Sequence, residues 1–391
     1  MKRFSLLIIA ALAFVFGAQA QEALWSRANV QSPQIHEDNS VTFRLLAPQA
    51  QKVAVTGDFT TTEGKDIRYG EMTKNDKGVW EFTTPPLRSE LYSYSFVLDG
   101  VVIRDPSNVY MNRDVASVTN IFIVNGDRGD IYKVNDVPHG SVKRSWYYSA
   151  TLQKDRRLTV YTPAGYESGK DKYPVLYLLH GAGGDEEAWI ALGRTSQILD
   201  NLIAQGKCEP MIVVMTNGNA WQQAAAGESA AGMTTPSMMM GGGRRGGNSG
   251  APQKSFEDSF GDVIKYIEEN YRVIKKKEGR AVAGLSMGGM HSANISRMYA
   301  KTFDYVGLFS AALPNTKDEA IQTAIKAQKD NGFKLYWIAC GTTDFLYKAN
   351  LDYMKYLDSI EFPYTYRESD GGHIWRNWRL YLSEFAPMLW K

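Results

Sequence analysis

The stretch RAVAGLSMGGMHS, residues 280–292, restricts the local fold more than any other part of this 391-residue chain. Its serine, Ser286, stands between Gly284 and Gly288, after the small apolar run 281–283. Glycines at those two positions let a short buried strand turn sharply into a helix that packs close against it. Such a turn exposes the serine hydroxyl above a sheet, so we predict that Ser286 is a nucleophile. The alternative is a serine in a purely structural turn.

A serine nucleophile needs a general base, and histidine is the usual one. The histidines of the chain are His36, His139, His180, His291 and His373. The first lies in a β-rich N-terminal part, the second in a polar segment and the third in a separate glycine-rich motif. His291 follows Ser286 by five residues on the same predicted helix and does not reach back over the turn. His373, in the loop sequence SDGGHIWRNW, is therefore the predicted base; the alternative is a structural loop histidine.

The base needs a carboxylate that orients it, and in this strand–helix order the acid comes between serine and histidine. Asp344 directly follows the apolar strand KLYWIACG, in the sequence GTTDFLY. The end of that strand places its side chain on the same edge as the serine. Asp352, Asp358 and Asp370 compete for the role, and Asp344 has the alternative of capping the next helix. Asp344 is the predicted acid, because two competitors fall on or past that helix and Asp370 is too close in sequence to His373.

The tetrahedral intermediate of ester hydrolysis needs hydrogen-bond donors for its oxyanion. The backbone N–H of Met287, next after the nucleophile, is one predicted donor. The second is the N–H of Ala182 in LLHGAGGDEEAW, where a strand ends and glycines free the backbone. His180, in the same loop, is predicted to brace it rather than to act in catalysis.

Two patterns of strands divide the chain. Short alternating strands with turn residues predict a β-sandwich over 21–125, and a polar stretch, 126–145, reads as a linker. Over 146–391, continuous apolar runs such as PVLYLLH, MIVVMT and YVGLFSAA alternate with helical stretches, which predicts a buried, mostly parallel sheet with helices on both faces. The glycine- and methionine-rich segment 221–253 is predicted to be a mobile insertion, either a lid or a segment without a role.

The N-terminus predicts export. Lys2 and Arg3 precede an apolar run that ends at the small-residue pattern AQA, so residues 1–20 match a cleavable signal peptide, too short to span a membrane. The remaining chain has 42 basic and 42 acidic residues, which argues against nucleic acid or an anionic membrane as partner. Cys208 and Cys340 are expected at opposite ends of parallel strands and are therefore predicted to be free thiols, the alternative being a disulfide between them. The sequence leaves the oligomeric state and the choice between periplasm and exterior open.

Four motifs, LLHGAGG, GLSMGG, CGTTDFL and GGHIWRNW, occur in an order that resembles the esterase D-like branch of α/β hydrolases. That branch includes carbohydrate esterase family 1 and enterochelin esterases. The resemblance extends from about residue 145 to the C-terminus. It implies an α/β-hydrolase fold and the triad Ser286, Asp344 and His373, which elimination reached independently. Such a mechanism needs no metal and no organic cofactor.

The N-terminal sequences SVTFRLLAPQAQKVAVTGDF and YSYSFVLDGVVIRDPSN resemble the immunoglobulin-like carbohydrate-binding module of family 48. The resemblance implies that aromatic residues of this part stack on sugar rings, the alternative being core or scaffold positions. The candidates are Trp80, Tyr92, Tyr94 and Tyr110.

These features together predict a secreted or periplasmic serine carboxylesterase that removes feruloyl groups from xylan or arabinoxylan oligosaccharides. A flat apolar slot for the acyl group is predicted at Trp189, Trp221 and Trp375, each of which has a core position as its alternative. Three other functions stay open: an acetylxylan esterase, a siderophore esterase, and a catalytically idle carbohydrate-binding protein. The complete triad argues against the last of these.

Overall fold

The computed structural model describes residues 30–60, 69–114, 117–220 and 254–391. The predicted signal peptide (1–20), Trp221 and the predicted insertion (221–253) lie outside these ranges. Among the described residues, none of the helices combines the length and the apolar character needed to cross a membrane.

The N-terminal part is a β-sandwich of two antiparallel sheets. Its strands are β1 (Gln34–Ile35), β2 (Val41–Leu46), β3 (Val53–Gly57), β4 (Gly70–Glu71), β5 (Thr73–Lys74), β6 (Val79–Thr83), β7 (Glu90–Leu98), β8 (Val101–Ile103), β9 (Met111–Asp114) and β10 (Ser117–Val124). One sheet has the order β1-β2-β6-β5 and the other β4-β3-β7-β10-β9, with β8 paired to β7. Alternate residues of β2, β3 and β7 are buried between the sheets, as in Phe43, Val55 and Phe96. The predicted immunoglobulin-like sandwich is confirmed.

An eight-stranded sheet forms the C-terminal part. Its strands are β11 (Ser141–Ser149), β12 (Lys154–Thr162), β13 (Val175–Leu179), β14 (Ile212–Thr216), β15 (Arg280–Leu285), β16 (Tyr305–Phe309), β17 (Leu335–Gly341) and β18 (Thr365–Ser369). The order is β11-β12-β14-β13-β15-β16-β17-β18, antiparallel at β11 and β12 and parallel elsewhere. β13 to β17 are almost wholly buried, which explains their continuous apolar runs. This sheet confirms the predicted α/β-hydrolase fold.

Helices cover both faces of the large sheet. They are α1 (Asp127–Tyr132), α2 (Ala188–Ala191), α3 (Thr195–Ala204), α4 (Phe260–Asn270), α5 (Met287–Met298), α6 (Glu319–Asn331), α7 (Tyr347–Ser359) and α8 (Trp375–Phe385). Buried side chains of α4 to α7 share one core with the sheet, whereas those of α3 and α8 share the other. Two short 3-10 turns, Lys277–Gly279 and Ala386–Met388, complete the described elements.

The interval 126–145 differs from the polar linker that its composition suggests. It contains α1 and the first five residues of β11. Tyr132 at the end of α1 is completely buried in the core beside α3 and α8. One large side chain thus ties a polar segment to the body of the protein.

The two sheet domains are joined by a buried ion pair. The Arg379 guanidinium on α8 donates to the Glu90 carboxylate and the Leu91 carbonyl of β7, at 3.0 and 2.9 Å. Both charged side chains are only 3% exposed. Because an unpaired buried charge is costly, removal of either partner would strongly destabilise this contact between the sandwich and α8.

Most of the sandwich aromatics predicted to stack on sugars are core residues. Trp80 is buried, with its indole N–H bonded to the Ala47 carbonyl, and Tyr92 and Tyr94 are buried between the sheets. Tyr110 alone of the four is exposed, at 71%. Alternation along a strand does not tell which face meets the second sheet, so the sequence did not separate these cases. Cys208 and Cys340 are both buried free thiols.

Candidate active site

Ser286 occupies the turn between β15 and α5 with a strained backbone. Its φ is 54° and its ψ is −115°, a conformation that non-glycine residues rarely adopt. A β-carbon at Gly284 would collide with the Gly288 carbonyl, and one at Gly288 would collide with the carbonyl oxygens of Leu179 and His180. The two glycines therefore allow the helix to start directly against β13 and β15.

Hydrogen bonds to neighbouring strands hold this turn. The Ser286 N–H donates to the Phe309 carbonyl at 2.9 Å, and the Ser286 carbonyl accepts from Met290 and Ala312. Ser310, directly after β16, also has a positive φ, of 44°. The strained serine is thus fixed by the end of β16, by the residues that follow that strand and by its own helix α5.

His373 and Asp344 meet at the same edge of the sheet. The imidazole Nδ1 lies 3.0 and 2.9 Å from the two carboxylate oxygens of Asp344. Asp344 is completely buried at its side chain, whereas the His373 side chain is 18% exposed. Both recorded hydrogen bonds of the imidazole use Nδ1, so within the described residues Nε2 is left for another partner. The structure records no hydrogen bond from Ser286 to His373; such bonds are often long in unliganded enzymes.

Hydrogen bonds from α8 hold the loop that carries His373. Asn377, completely buried on α8, donates to the carbonyls of Asp370 and Gly372, each at 3.0 Å. Gly371 has a φ of 81°, and its carbonyl accepts from the Thr343 N–H. The loops that carry the histidine and the aspartate are consequently bonded to each other.

Two aromatic rings contact the His373 imidazole. The Phe345 ring centroid lies 4.4 Å from that of the imidazole, and Trp378 meets it edge-on at 4.9 Å. Phe345 is 75% exposed. Phe345 and Asn377 were not among the residues predicted from the sequence; the available signal was their place beside Asp344 and in the GGHIWRNW motif.

The loop after β13 lies against the serine. A β-carbon at Gly181 would come within 3.2 Å of the Ser286 β-carbon. Among the described residues, neither the Ala182 N–H nor the Met287 N–H donates to a protein acceptor. Met287 is the first residue of α5, where the N–H has no partner within the helix and the helix dipole favours negative charge. The arrangement offers two free donors, one directly after Ser286 in sequence and one in the loop that lies against it.

His180 connects this loop to the end of β14. Its Nδ1–H donates to the Gly181 carbonyl at 2.7 Å, and its Nε2 accepts from the Gly218 N–H at 2.9 Å. Burial lowers the pKa of His180 to about 4. A neutral imidazole with both nitrogens bonded braces the loop and has no lone pair left for a substrate.

The tryptophans predicted to line an acyl slot occupy different environments. Trp189 is 1% exposed, with its indole N–H on the Leu179 carbonyl and its ring against Phe309 and Trp375. It is therefore a core residue and has no face for a substrate, which corrects that prediction. Trp375 is half-buried beside Trp378, close to the His373 loop. Trp221 lies outside the described residues.

The other histidines have structural partners away from Ser286. His36 bonds to Thr42 in the sandwich, and His139 bonds to Asp200. His291, buried on α5, bonds to Glu257 at 2.9 Å. Of the competing acids, Asp352 pairs with Lys348 and Asp358 with Tyr364, both at the surface. Asp370 contributes its carbonyl to Asn377 rather than its carboxylate to His373.

Comparisons with known proteins agree with this organisation. A family model described as putative esterase matches residues 149–389, and one described as carbohydrate-binding module 48, the isoamylase N-terminal domain, matches residues 25–109. An endo-1,4-β-xylanase/feruloyl esterase of Xylanibacter ruminicola is 29% identical over 92% of this chain and 46% of its own length. The chain thus spans about half the length of the curated relatives it matches.

Two solved structures are similar. A ferulic acid esterase, 26% identical, covers 65% of this chain and 98% of its own, with a TM-score of 0.53. The enterobactin esterase FES of Shigella flexneri, 18% identical, covers 94% and 98% with a TM-score of 0.61. The second likeness extends over both domains and concerns the fold alone.

Proposed function

The chain belongs to the putative esterase family, and we propose that it is a secreted serine carboxylesterase that removes feruloyl groups from xylan or its oligosaccharides. The observation that carries the proposal is the meeting of three strand ends. Ser286 follows β15 in a strained turn, Asp344 follows β17, and His373 lies on the loop after β18 with its Nδ1 on Asp344.

In the proposed acylation step, the Ser286 Oγ attacks the ester carbonyl carbon while the His373 Nε2 takes the hydroxyl proton. The carbonyl electron pair moves onto its oxygen, which accepts hydrogen bonds from the Ala182 and Met287 N–H groups. Asp344 keeps the imidazole in the tautomer with Nδ1–H and stabilises the imidazolium. The intermediate then expels the sugar alkoxide, which takes the proton from Nε2 and leaves an acyl-serine.

Deacylation repeats these steps with water. His373 takes a proton from the water as the hydroxide forms a bond to the acyl carbon. The second intermediate expels the Ser286 alkoxide, which recovers the proton from Nε2, and the free acid leaves. The residues account for every proton without a metal or an organic cofactor.

The acyl group and the sugar are inferred from similarity. The X. ruminicola relative is named as a xylanase and feruloyl esterase, and the 26%-identical structure as a ferulic acid esterase. The half-buried ring of Trp375 near His373 is compatible with a flat aromatic acyl group. Export rests on the signal-peptide pattern of residues 1–20.

The test is hydrolysis of methyl ferulate, acetylated xylan and a feruloylated arabinoxylan oligosaccharide by the wild type and by Ser286→Ala. We expect ferulate release from the first and third substrates, reduced by at least about 10⁴-fold in the variant. Acetate release without ferulate release would show that the enzyme removes acetyl groups instead of feruloyl groups. No hydrolysis that depends on Ser286 would reject the esterase proposal for these substrates.

A further inference from the structure

Two large aromatic side chains project into solvent from β11, at the edge of the large sheet. Trp146 is 53% exposed and Tyr148 is 62% exposed. They are two residues apart on one face of the strand, which separates them by about 7 Å. Tyr147 between them points the other way and packs on Tyr266 of α4. The strand is therefore anchored through one face and presents an aromatic platform, Trp146 and Tyr148, on the other.

The platform lies at the active-site end of the sheet. Trp146 is paired with Arg157 of β12, next to Leu158, which stands opposite Thr216 at the end of β14. β14, β13 and β15 are parallel, so the loops that carry Ala182 and Ser286 leave the sheet at the same end as Thr216, the carboxyl end of these strands. The platform and the candidate active site consequently open on one side of the domain.

Three ion pairs connect the platform with the loop after β13. Each of the three acidic residues that follow the GAGG sequence is bound by an arginine from a different strand. The pairs are Arg113 with Asp185, Arg157 with Glu186, and Arg144 with Glu187. The Arg157 guanidinium also lies 5.8 Å from the Trp146 ring centroid. These three pairs form a charge-matched frame that includes the predicted oxyanion loop and reaches the Trp146 ring through Arg157.

We propose that the aromatic platform binds a neutral polysaccharide chain, namely the part of a polymeric substrate beyond the scissile ester. The C–H faces of sugar rings pack on exposed aromatic rings, and their hydroxyls bond to polar groups at the rim. Each arginine around the rings is matched by a carboxylate, and the exposed Asp155 stands opposite Tyr148, so the surface disfavours an anionic ligand. The identity of that chain as xylan rests on the proposed function.

A second copy of this protein is the competing occupant, because β11 is an edge strand with open backbone groups. Lys143 on the exposed part of β11 opposes such pairing, since two copies would bring like charges together at this strand. The matched frame and this edge charge favour the glycan.

The experiment compares three versions of the full chain: wild type, Trp146→Ala/Tyr148→Ala, and Leu351→Ala. Leu351 is a similarly exposed side chain on α7, at 40%, and controls for loss of apolar surface. Binding to unesterified arabinoxylan is measured by affinity electrophoresis, and turnover is measured with feruloylated arabinoxylan and with methyl ferulate. We expect binding to weaken about tenfold in the double variant and to stay unchanged in Leu351→Ala. In the double variant, the ratio of turnover of feruloylated arabinoxylan to turnover of methyl ferulate should also fall about tenfold.

The binding measurement decides the proposal independently of catalysis. Unchanged binding would overturn the platform, whatever the enzyme hydrolyses. Weaker binding without any ester hydrolysis would support the platform and reject the esterase proposal. A wild type that is dimeric and a double variant that is monomeric would identify the surface as a subunit interface and overturn the glycan. If the double variant shows a lowered melting temperature, Tyr148→Ala alone gives the same test with less disturbance.

Discussion

The esterase domain holds two copies of one small constellation: a histidine, a carboxylate and a phenylalanine next to the carboxylate in sequence. The two sets are His373, Asp344 and Phe345 at the sheet edge, and His291, Glu257 and Phe256 in the interior. In both sets the imidazole Nδ1 lies 2.9 Å from a carboxylate oxygen. The phenylalanine and imidazole centroids are 4.4 Å apart in the first and 4.9 Å apart in the second.

The two sets differ in access and in what surrounds the carboxylate. Phe345 is 75% exposed, whereas Phe256 is 3% exposed. Glu257 also accepts from the Asn294 amide, and the His291 Nε2 is buried without a partner among the described residues. A histidine paired with a carboxylate is therefore a common structural unit. What distinguishes the candidate base is its partly exposed position at the edge where β15, β17 and β18 end.

The largest effect on catalysis is expected from replacing the Asp344 carboxylate. Asp344→Asn should lower kcat for methyl ferulate by about 10⁴-fold, because the amide stabilises neither the reactive tautomer nor the imidazolium. Glu257→Gln is the matched control and should lower kcat of the folded protein by less than about threefold. Equal losses of kcat in the two variants would contradict the distinction between the sets.

The free energy of unfolding should fall more in Glu257→Gln than in Asp344→Asn, the reverse of the order expected for kcat. Glu257→Gln removes the buried carboxylate that binds His291 and Asn294, and we expect the free energy of unfolding to drop by about 3 kcal/mol. Both side chains of that pair are little exposed, at 7% and 11%. Urea unfolding of the two carboxylate variants measures this. A smaller loss for Glu257→Gln than for Asp344→Asn would be inconsistent with a structural role.

The buried pair also predicts a dependence of stability on pH. Burial alone would raise the pKa of Glu257, but the hydrogen bond and charge of His291 outweigh it and lower that pKa from 4.5 to about 2. The unfolded chain therefore takes up a proton at Glu257 at a higher pH than the folded one. The contribution is complete above pH 4.5 and is lost as the pH falls towards 2.

Urea unfolding at several pH values measures this contribution as the difference between wild type and Glu257→Gln. The difference should shrink by about 3 kcal/mol across that interval. If it stays constant, the pair carries no such charge linkage.

The smallest effect concerns the phenylalanines. Phe345→Leu removes an aromatic face from the imidazole that becomes positive during the reaction, a contact worth about 0.5–1 kcal/mol at an exposed site. We expect kcat/KM for methyl ferulate to fall about two- to fivefold, with an unchanged melting temperature. Phe256→Leu should do the opposite, lowering the melting temperature and sparing kcat/KM. A melting-temperature loss in Phe345→Leu would show that its ring is a packing residue instead.

Local sequence patterns predicted much of the fold. The glycines around Ser286 have a single use, a strand-to-helix turn without room for a β-carbon, and the structure places that turn at residue 286. The apolar runs of β13 to β17 predicted buried parallel strands because such strands lack a solvated face. The composition of 126–145 was misleading, since one buried tyrosine among polar residues decides whether a short segment packs.

The candidate site divides in the same way. Spacing and elimination singled out His373 and Asp344, because only residues after parallel strands reach the serine edge. They did not predict that Trp189 is buried, or that the Asn377 amide binds two carbonyls of the loop that carries His373. Side-chain type and position along the strand do not tell which face meets a second layer.

The sequence by itself determined the order of strands and helices, the strained turn at Ser286 and the short set of residues able to act with it. These are local properties, set by backbone sterics and by the period of apolar residues. Only the tertiary structure decided that His373 meets a carboxylate at the open edge while His291 meets one in the interior. It also brought Arg379 to Glu90 across 289 positions of the chain and placed three arginines on three consecutive acids. Pairings between residues so far apart depend on how whole layers pack, and a linear pattern contains no record of that packing.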